Sequence, residues 1–119
     1  MYEVNTYSLE RDNFLGGAYP IAKETLEVAS GETIAEHALV KLSSGKAAAY
    51  AAADATAETV PYGIAAAASE NGYVVVYLTG EFQESGIVLP DGVEVDAVRP
   101  LLRENGIFLV PSQANADNI

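Results

Sequence analysis

A block of β-type segments between residues 60 and 90 constrains this chain more than any other feature. Its longest run, residues 73–78, reads Tyr-Val-Val-Val-Tyr-Leu. These residues are β-branched or aromatic and apolar on both faces, which predicts a central strand. Before this run, Asn71-Gly72 favours the positive φ angles of a hairpin turn, and Gly63–Ala68 is predicted to form the preceding strand. The block therefore predicts a β-rich domain.

The second half of the block is predicted to be broken into shorter pieces. Thr79-Gly80 is predicted to end the central strand, and Glu81-Phe82 to begin another short segment. A further apolar segment, Ile87–Leu89, stops at Pro90, because proline cannot donate to a ladder of hydrogen bonds.

Shorter strand patterns precede this block. Thr25–Val28 alternates polar and apolar residues, and the β pattern resumes at Ile34 and at Ala38–Leu42. Two segments that contain glycine, Ser30–Glu32 and Ser43–Lys46, are predicted to be the turns. These patterns extend the β-rich region towards the N-terminus.

An alanine-rich stretch follows, and its two signals conflict. Alanine has the highest helix propensity, but no large apolar stripe recurs here at helical spacing. We therefore predict a strand over Ala47–Ala52 and an irregular loop through Thr59.

One short helix is expected near the C-terminal end. Asp96 can cap it, and Pro100 is predicted to lie close to the first turn of a helix that starts near Ala97. Asn105-Gly106 would end the helix, and Ile107–Val110 would form a last buried strand. The expected buried face of this helix consists of Val98, Leu101 and Leu102. The fold class is therefore predicted to be mainly β with one short helix, that is, α+β.

The chain has 119 residues, which suits one domain. We predict an N-terminal arm over residues 1–20, a β-rich body over residues 21–110 and a flexible tail over residues 111–119. The arm is either a first strand packed on its own domain or a segment that orders against a partner. In the second case its anchors would be the apolar residues Tyr2, Val4, Tyr7, Leu9, Phe14 and Leu15.

The net charge of −11 arises from 17 acidic and 6 basic residues. Such a surface repels nucleic-acid backbones and anionic membranes, so neither is expected as a partner. The charge either keeps a concentrated protein in solution or complements a basic partner. No signal peptide and no membrane-spanning run is visible, so the protein is expected to be made in a cytoplasm.

Reactive side chains are scarce. The chain has no cysteine and one histidine, His37, and it contains neither a Gly-x-Ser-x-Gly elbow nor a phosphate-binding loop. The acidic residues near 81–84 and 91–96 do not follow a calcium-loop pattern and are interpreted as solvated acids. We therefore expect no enzyme activity, no cofactor, no metal and no small-molecule substrate. Three tyrosines are expected in the core or at an interface: Tyr62, Tyr73 and Tyr77.

The order of these segments resembles that of the lambda-type head decoration proteins of tailed bacteriophages, the family of capsid-stabilising protein D. The resemblance covers roughly residues 25–110. It is carried by an apolar segment with a polar turn (Leu39–Lys46), the aromatic Tyr50, the segment Gly63–Ala65, the pattern Tyr77–Phe82, Leu89-Pro90 and the last strand Ile107–Val110.

This resemblance implies a compact β-rich body with an extended N-terminal arm. It also implies a structural virion protein without enzyme activity. As a homotrimer it would bind the major capsid protein on the outer surface of the expanded head, at threefold and quasi-threefold positions. There it would stabilise the capsid against internal DNA pressure. The arm would order on the capsid.

The residues by themselves do not exclude two other functions. A small acidic β-rich chain can be a carrier or adaptor domain of the biotinyl or lipoyl type, which presents a modified lysine at a hairpin tip. Lys46, in the predicted turn Ser43–Lys46, is the only candidate for that lysine. Such a chain can also be another virion component, such as a tail or spike protein, in which case rings or tubes are expected instead of trimers.

Overall fold

A computed structural model describes residues 19–111, and within them six strands and two α-helices follow one another. A short 3-10 turn, Glu84–Gly86, follows the longest strand. In chain order the elements are β1 (Ala22–Glu27), β2 (Leu39–Ser43), β3 (Lys46–Ala49), α1 (Ala52–Thr56), β4 (Gly63–Ala65), β5 (Tyr73–Gln83), α2 (Val95–Arg103) and β6 (Ile107–Val110).

The longest strand, β5, organises the sheet. It pairs antiparallel with β1 and β4 through its first part, and parallel with β6 from Gly80 to Gln83. The strand order is β1-β5-β4-β2-β3. The two outermost strands of this order approach each other where Val28 forms a bridge with Ala47, so the sheet curls towards closure. The predicted fold class, mainly β with a short helix near the C-terminus, is confirmed, and so is the central position of residues 73–78.

The predicted break at Thr79-Gly80 is wrong, because β5 continues through these residues to Gln83. Gly80 has φ +145°, and a Cβ there would lie 2.6 Å from Cζ of Phe82. The register with β1 shifts by one residue between Tyr77 and Thr79, where Leu78 has no partner, as at a β-bulge. The rings of Tyr77 and Phe82 lie 4.9 Å apart, although residues an odd number of positions apart alternate faces in a regular strand. The strand is therefore redirected between Tyr77 and Phe82, and it does not end at Thr79-Gly80.

Two apolar clusters form the core on either side of the sheet. One lies between the sheet and α2, and its largest side chains include Tyr50, Tyr77, Phe82, Leu102 and Ile107. The other is enclosed by the curled strands, and it consists of Leu26, Ile34, Val40, Ala47, Ala65, Val74 and Val76.

The alanine-rich stretch contains both the predicted strand and a helix that was not predicted. The strand is confirmed over Ala47–Ala49, but Ala52–Thr56 is helical where a loop was expected. The carboxylate of Asp54 accepts hydrogen bonds from the Ala51 N–H (2.8 Å) and from Nζ of Lys41 (2.9 Å). These two bonds and the helix propensity of alanine stabilise the short α1.

The helix α2 begins two residues earlier than predicted. Glu94 occupies the N-cap position, and Asp96 lies in the first turn, so the assignment of Asp96 as the cap is wrong. Pro100 consequently lies in the interior of the helix. The predicted buried face is confirmed: Val98 and Leu102 are fully buried, and Leu101 is partly buried.

Two other predicted strands are not strands. Ile87–Leu89 contributes only a single bridge, between Val88 and Ala38. Ile34 lies in a loop but is fully buried in the second cluster, and its N–H and carbonyl both form hydrogen bonds with Ser69, at 3.0 and 2.8 Å. Side-chain burial at these positions therefore does not require a ladder of strand hydrogen bonds.

The predicted tight turns are confirmed. Ser44-Gly45 has φ angles of 53° and 84°, and Asn71-Gly72 has 55° and 85°, as a two-residue hairpin turn requires. The strand before the second turn is shorter than predicted, because β4 ends at Ala65.

Candidate interaction surface

The start of the described chain is attached to β5 and β6. The N–H of Tyr19 donates to Oε1 of Glu81 (2.9 Å), and the Tyr19 ring meets the edge of Phe108 at a centroid distance of 4.9 Å and an angle of 73°. These two contacts join residues far apart in sequence. They hold the backbone at Tyr19 against the body.

Thr79 makes the second attachment. Its hydroxyl donates to the carbonyl of Pro20 (2.9 Å) and accepts the N–H of Ala22 (3.0 Å). Because Ala22 already belongs to β1, the whole segment from Tyr19 to the first strand is bound to β5. We call the group Tyr19, Pro20, Thr79, Glu81 and Phe108 the N-terminal junction.

Exposed apolar side chains lie at both ends of β5. Tyr19 and Ile21, at the N-terminal junction, are 42% and 36% exposed. Tyr73 and Val75, at the opposite end of β5, are 55% and 37% exposed and lie on one face of that strand. Aromatic and aliphatic groups exposed in this way are typical of contact surfaces between proteins.

The predictions for the three tyrosines of the body have different outcomes. Tyr77 is buried in the core, as expected. Tyr62 is half-buried, and its hydroxyl donates to Oε1 of Glu24 (2.5 Å), a bond that raises the pKa of Tyr62. Tyr73 is more than half exposed, so it is not a core residue.

The acids that follow β5 make structural contacts. Arg99 of α2 binds the Glu84 carboxylate, lies 3.5 Å from Asp96 and donates to the carbonyl of Leu109 (2.8 Å). The bond to Glu84 is the main reason that the pKa of Arg99 is raised. This arginine therefore joins the end of β5, the helix α2 and the strand β6.

An open surface groove of about 500 Å³ lies beside Tyr62. Its wall contains the Lys41–Asp54 ion pair and the exposed Leu42, and Asn105 lies at its end, where its amide donates to the carbonyl of Pro61 (2.8 Å). These charged and amide groups bind other groups of the chain, so they stabilise the groove. Their contacts identify no ligand.

The residues that could have carried chemistry are placed as follows. His37 has φ 65° and joins two segments through its backbone, donating to the Ala65 carbonyl and accepting the Val88 N–H. Lys46 begins β3, one position after the turn, and lies 3.2 Å from Glu27. Within residues 19–111, His, Asp and Glu side chains form no group of three that could hold a metal ion.

None of the helices in the described part of the chain is long and apolar enough to cross a membrane. No protein-family model matches the chain, and no curated protein matches it.

The six predicted anchor residues, Tyr2, Val4, Tyr7, Leu9, Phe14 and Leu15, lie outside the described residues, as do residues 112–119 of the predicted tail. The predicted boundaries of arm, body and tail therefore stay predictions. The N-terminal junction itself was not predicted. Glu81 was interpreted as a solvated acid, and a contact across 62 positions, between Tyr19 and Glu81, leaves no local signal in the sequence.

Proposed function

We propose that this chain is a structural virion protein, a head decoration protein of the lambda type. In this proposal a homotrimer binds the major capsid protein on the outer surface of the expanded phage head, at threefold and quasi-threefold positions. It stabilises the head against internal DNA pressure. The protein acts without catalysis and without a cofactor.

The N-terminal junction carries this proposal. A protein that fastens capsid subunits must transmit force from its binding segment into a stable body. Here the contacts of Tyr19 and Pro20 with β5 and β6 hold the start of the described chain against the body, directly after the predicted arm. Six apolar residues lie in that preceding segment, and two pairs of them, Tyr2 with Val4 and Tyr7 with Leu9, have the two-residue spacing of an extended strand.

Avidity explains how such contacts can suffice. Each arm buries few side chains, but a trimer presents three arms at once, and simultaneous binding multiplies the affinity without new contacts. The order of segments within residues 25–110, which resembles the decoration family, supports the same function. The acidic surplus of the chain suits a capsid surface with basic residues.

Co-sedimentation with expanded heads tests the proposal. The heads are assembled from the major capsid protein encoded in the same genome as this chain. We expect the full chain to be a trimer by light scattering and to sediment with the heads. A variant that starts at Gly16 should fail to sediment, and a matched variant that lacks residues 112–119 should bind as the full chain does.

The outcomes separate the parts of the proposal. A full chain that ignores expanded heads would overturn the decoration function. Undiminished binding by the variant that starts at Gly16 would show that the arm is not needed for binding to the heads. An intact mass that includes biotin or lipoate on Lys46 would instead establish the carrier function.

A further inference from the structure

The tripeptide Glu-Asn-Gly occurs twice in this chain, at residues 70–72 and at residues 104–106, and both copies lie within the described residues. Asparagine is among the thermolabile residues, and a glycine after it leaves the next peptide nitrogen unhindered by a side chain. In the unfolded chain Asn71 and Asn105 therefore have the same reactivity. Only the fold can make the two asparagines differ.

Asn71 lies at the tip of the turn that precedes β5. The two hydrogen bonds of this turn join the flanking residues: the Glu70 N–H donates to the Tyr73 carbonyl (2.8 Å), and the Tyr73 N–H donates to the Glu70 carbonyl (3.0 Å). Within residues 19–111, no hydrogen bond involves the Asn71 side chain or the Gly72 N–H. Both residues are exposed, and a Cβ at Gly72 would meet no atom within 4 Å. The side-chain amide and the peptide nitrogen of this turn are therefore accessible to each other and to water.

The second copy of the tripeptide has the opposite surroundings. The side-chain amide of Asn105 donates to the carbonyl of Pro61 (2.8 Å), and the Gly106 N–H donates to the carbonyl of Arg103 (3.1 Å). A Cβ at Gly106 would lie 3.4 Å from Cγ2 of Thr79, so the peptide is packed against β5. Both groups that would have to react at this site are therefore held by hydrogen bonds.

We propose that Asn71 is a site of spontaneous deamidation and that the fold protects Asn105. The Gly72 nitrogen loses its proton to solvent and attacks Cγ of Asn71. The new C–N bond closes a succinimide ring, and the bond from Cγ to Nδ2 breaks as Nδ2 takes up a proton and leaves as ammonia. Water then opens the ring at either carbonyl, which gives aspartate or isoaspartate. The reaction consumes only water, so it requires no enzyme and is independent of the proposed capsid binding.

The products change the turn in two ways. Both add a carboxylate directly after Glu70 in the sequence. Isoaspartate also inserts the side-chain Cβ into the main chain of a turn whose length is fixed by the two bonds between Glu70 and Tyr73. Because the Gly72 carbonyl accepts the Val28 N–H (2.8 Å), we expect isoaspartate to weaken the pairing of β1 with β5 at this end.

Peptide mapping by mass spectrometry tests the proposal after the full folded chain has been incubated at mildly alkaline pH. Deamidation is measured at each asparagine as the mass gain on replacement of the amide NH2 by OH. Isoaspartate is identified by its methylation with an isoaspartyl methyltransferase. Because two hydrogen bonds must break at Asn105 before its groups can react, we expect Asn71 to react about tenfold faster or more.

The same chain in concentrated denaturant is the matched control. Because both asparagines lie in the tripeptide Glu-Asn-Gly, they should then react at similar rates. In the folded chain, an Asn105 that reacts as fast as Asn71 would overturn the inference. So would an Asn71 that stays intact when folded and reacts in denaturant, because the turn would then protect it. A rate difference that persists in denaturant would assign the difference to the sequence and overturn the inference as well.

Hydrogen exchange at the Val28 amide tests the consequence for the sheet. The isoaspartate form, isolated from the incubated chain, is compared with Asn71→Asp, which adds the charge but keeps the length of the main chain. We expect the Val28 amide to exchange about tenfold faster or more in the isoaspartate form. Equal exchange rates would show that the change in the turn does not reach β1, and would overturn this part of the inference.

Discussion

Gly63 lies in β4, where the backbone of β5 passes beside its Cα. A Cβ at this position would lie 2.3 Å from the carbonyl oxygen of Tyr77 and 2.4 Å from Cγ1 of Val76. We expect Gly63→Ala to lower the free energy of unfolding by about 3 kcal/mol or more, because a backbone group must move. Gly72→Ala is the control: it has open space but φ +85°, so about 1 kcal/mol is expected. Chemical denaturation of both variants compares them, and equal losses would contradict the steric explanation.

Asp54 is the residue whose titration should be visible in the stability of the fold. The hydrogen bond from Lys41, followed by that from the Ala51 N–H, lowers the pKa of Asp54. Because the pKa of Asp54 is lower in the folded than in the unfolded chain, its ionised carboxylate stabilises the folded protein at pH values above the unfolded pKa, near 3.9. This stabilisation is lost as the pH falls through the pKa of the folded state. We therefore expect Asp54→Asn to cost about 1 kcal/mol at pH 7 and progressively less below pH 4.

Denaturation at a series of pH values measures this difference. Lys41→Met is the matched variant, because it removes the larger of the two causes and leaves the Ala51 bond in place. The loss of unfolding free energy in Lys41→Met should therefore depend on pH in the same direction as the loss in Asp54→Asn, but less strongly. A cost for Asp54→Asn that stays constant from pH 7 to pH 3 would be the contrary result.

At the scale of elements, α2 contains a residue that opposes its own helix. Pro100 occupies the sixth position of Val95–Arg103, so it cannot donate the hydrogen bond that an interior residue makes to the carbonyl four positions earlier. Its side chain is exposed, so no core contact compensates. We expect Pro100→Ala to raise the free energy of unfolding by about 1–2 kcal/mol, after allowance for the greater freedom of the unfolded chain.

Thermal and chemical denaturation test this expectation. Pro90→Ala is the control, since Pro90 lies outside any helix and the substitution should bring no gain. A destabilised Pro100→Ala variant would indicate that the proline ring makes a contact that α2 requires.

At the scale of the whole molecule, charge should act on assembly in two opposite directions. Three of the basic side chains, Lys41, Lys46 and Arg99, are in ion pairs within the body, so an acidic surplus faces outward. Salt screens repulsion between like-charged copies, and the screening length falls from about 30 Å at 0.01 M to about 3 Å at 1 M. We expect the proposed homotrimer to become more stable as salt is added, whereas its proposed binding to a basic capsid surface should weaken.

Light scattering and co-sedimentation across this range of salt measure the two effects separately. The uncharged solute sucrose, at matched osmolarity, controls for effects other than screening. A trimer that dissociates with added salt would contradict this expectation and would mean that ion pairs hold the copies together.

The sequence by itself determined the fold class of this chain. Alternation and β-branched residues predicted β1, β2 and the first part of β5, and the two-residue glycine turns predicted both hairpins, because these signals act between near neighbours. The apolar face of α2 was predicted for the same reason. The absence of cysteine and the acidic surplus are properties of the composition, so they needed no fold.

Only the tertiary structure decided where distant segments meet. The continuation of β5 through Gly80 depends on β6 as its new partner, and the early start of α2 depends on the core that Val98 and Leu102 enter. The N-terminal junction joins Tyr19 to Glu81 and Phe108. The physical reason is common to all of these cases: hydrogen-bond partners and packing neighbours far apart in sequence leave no local pattern.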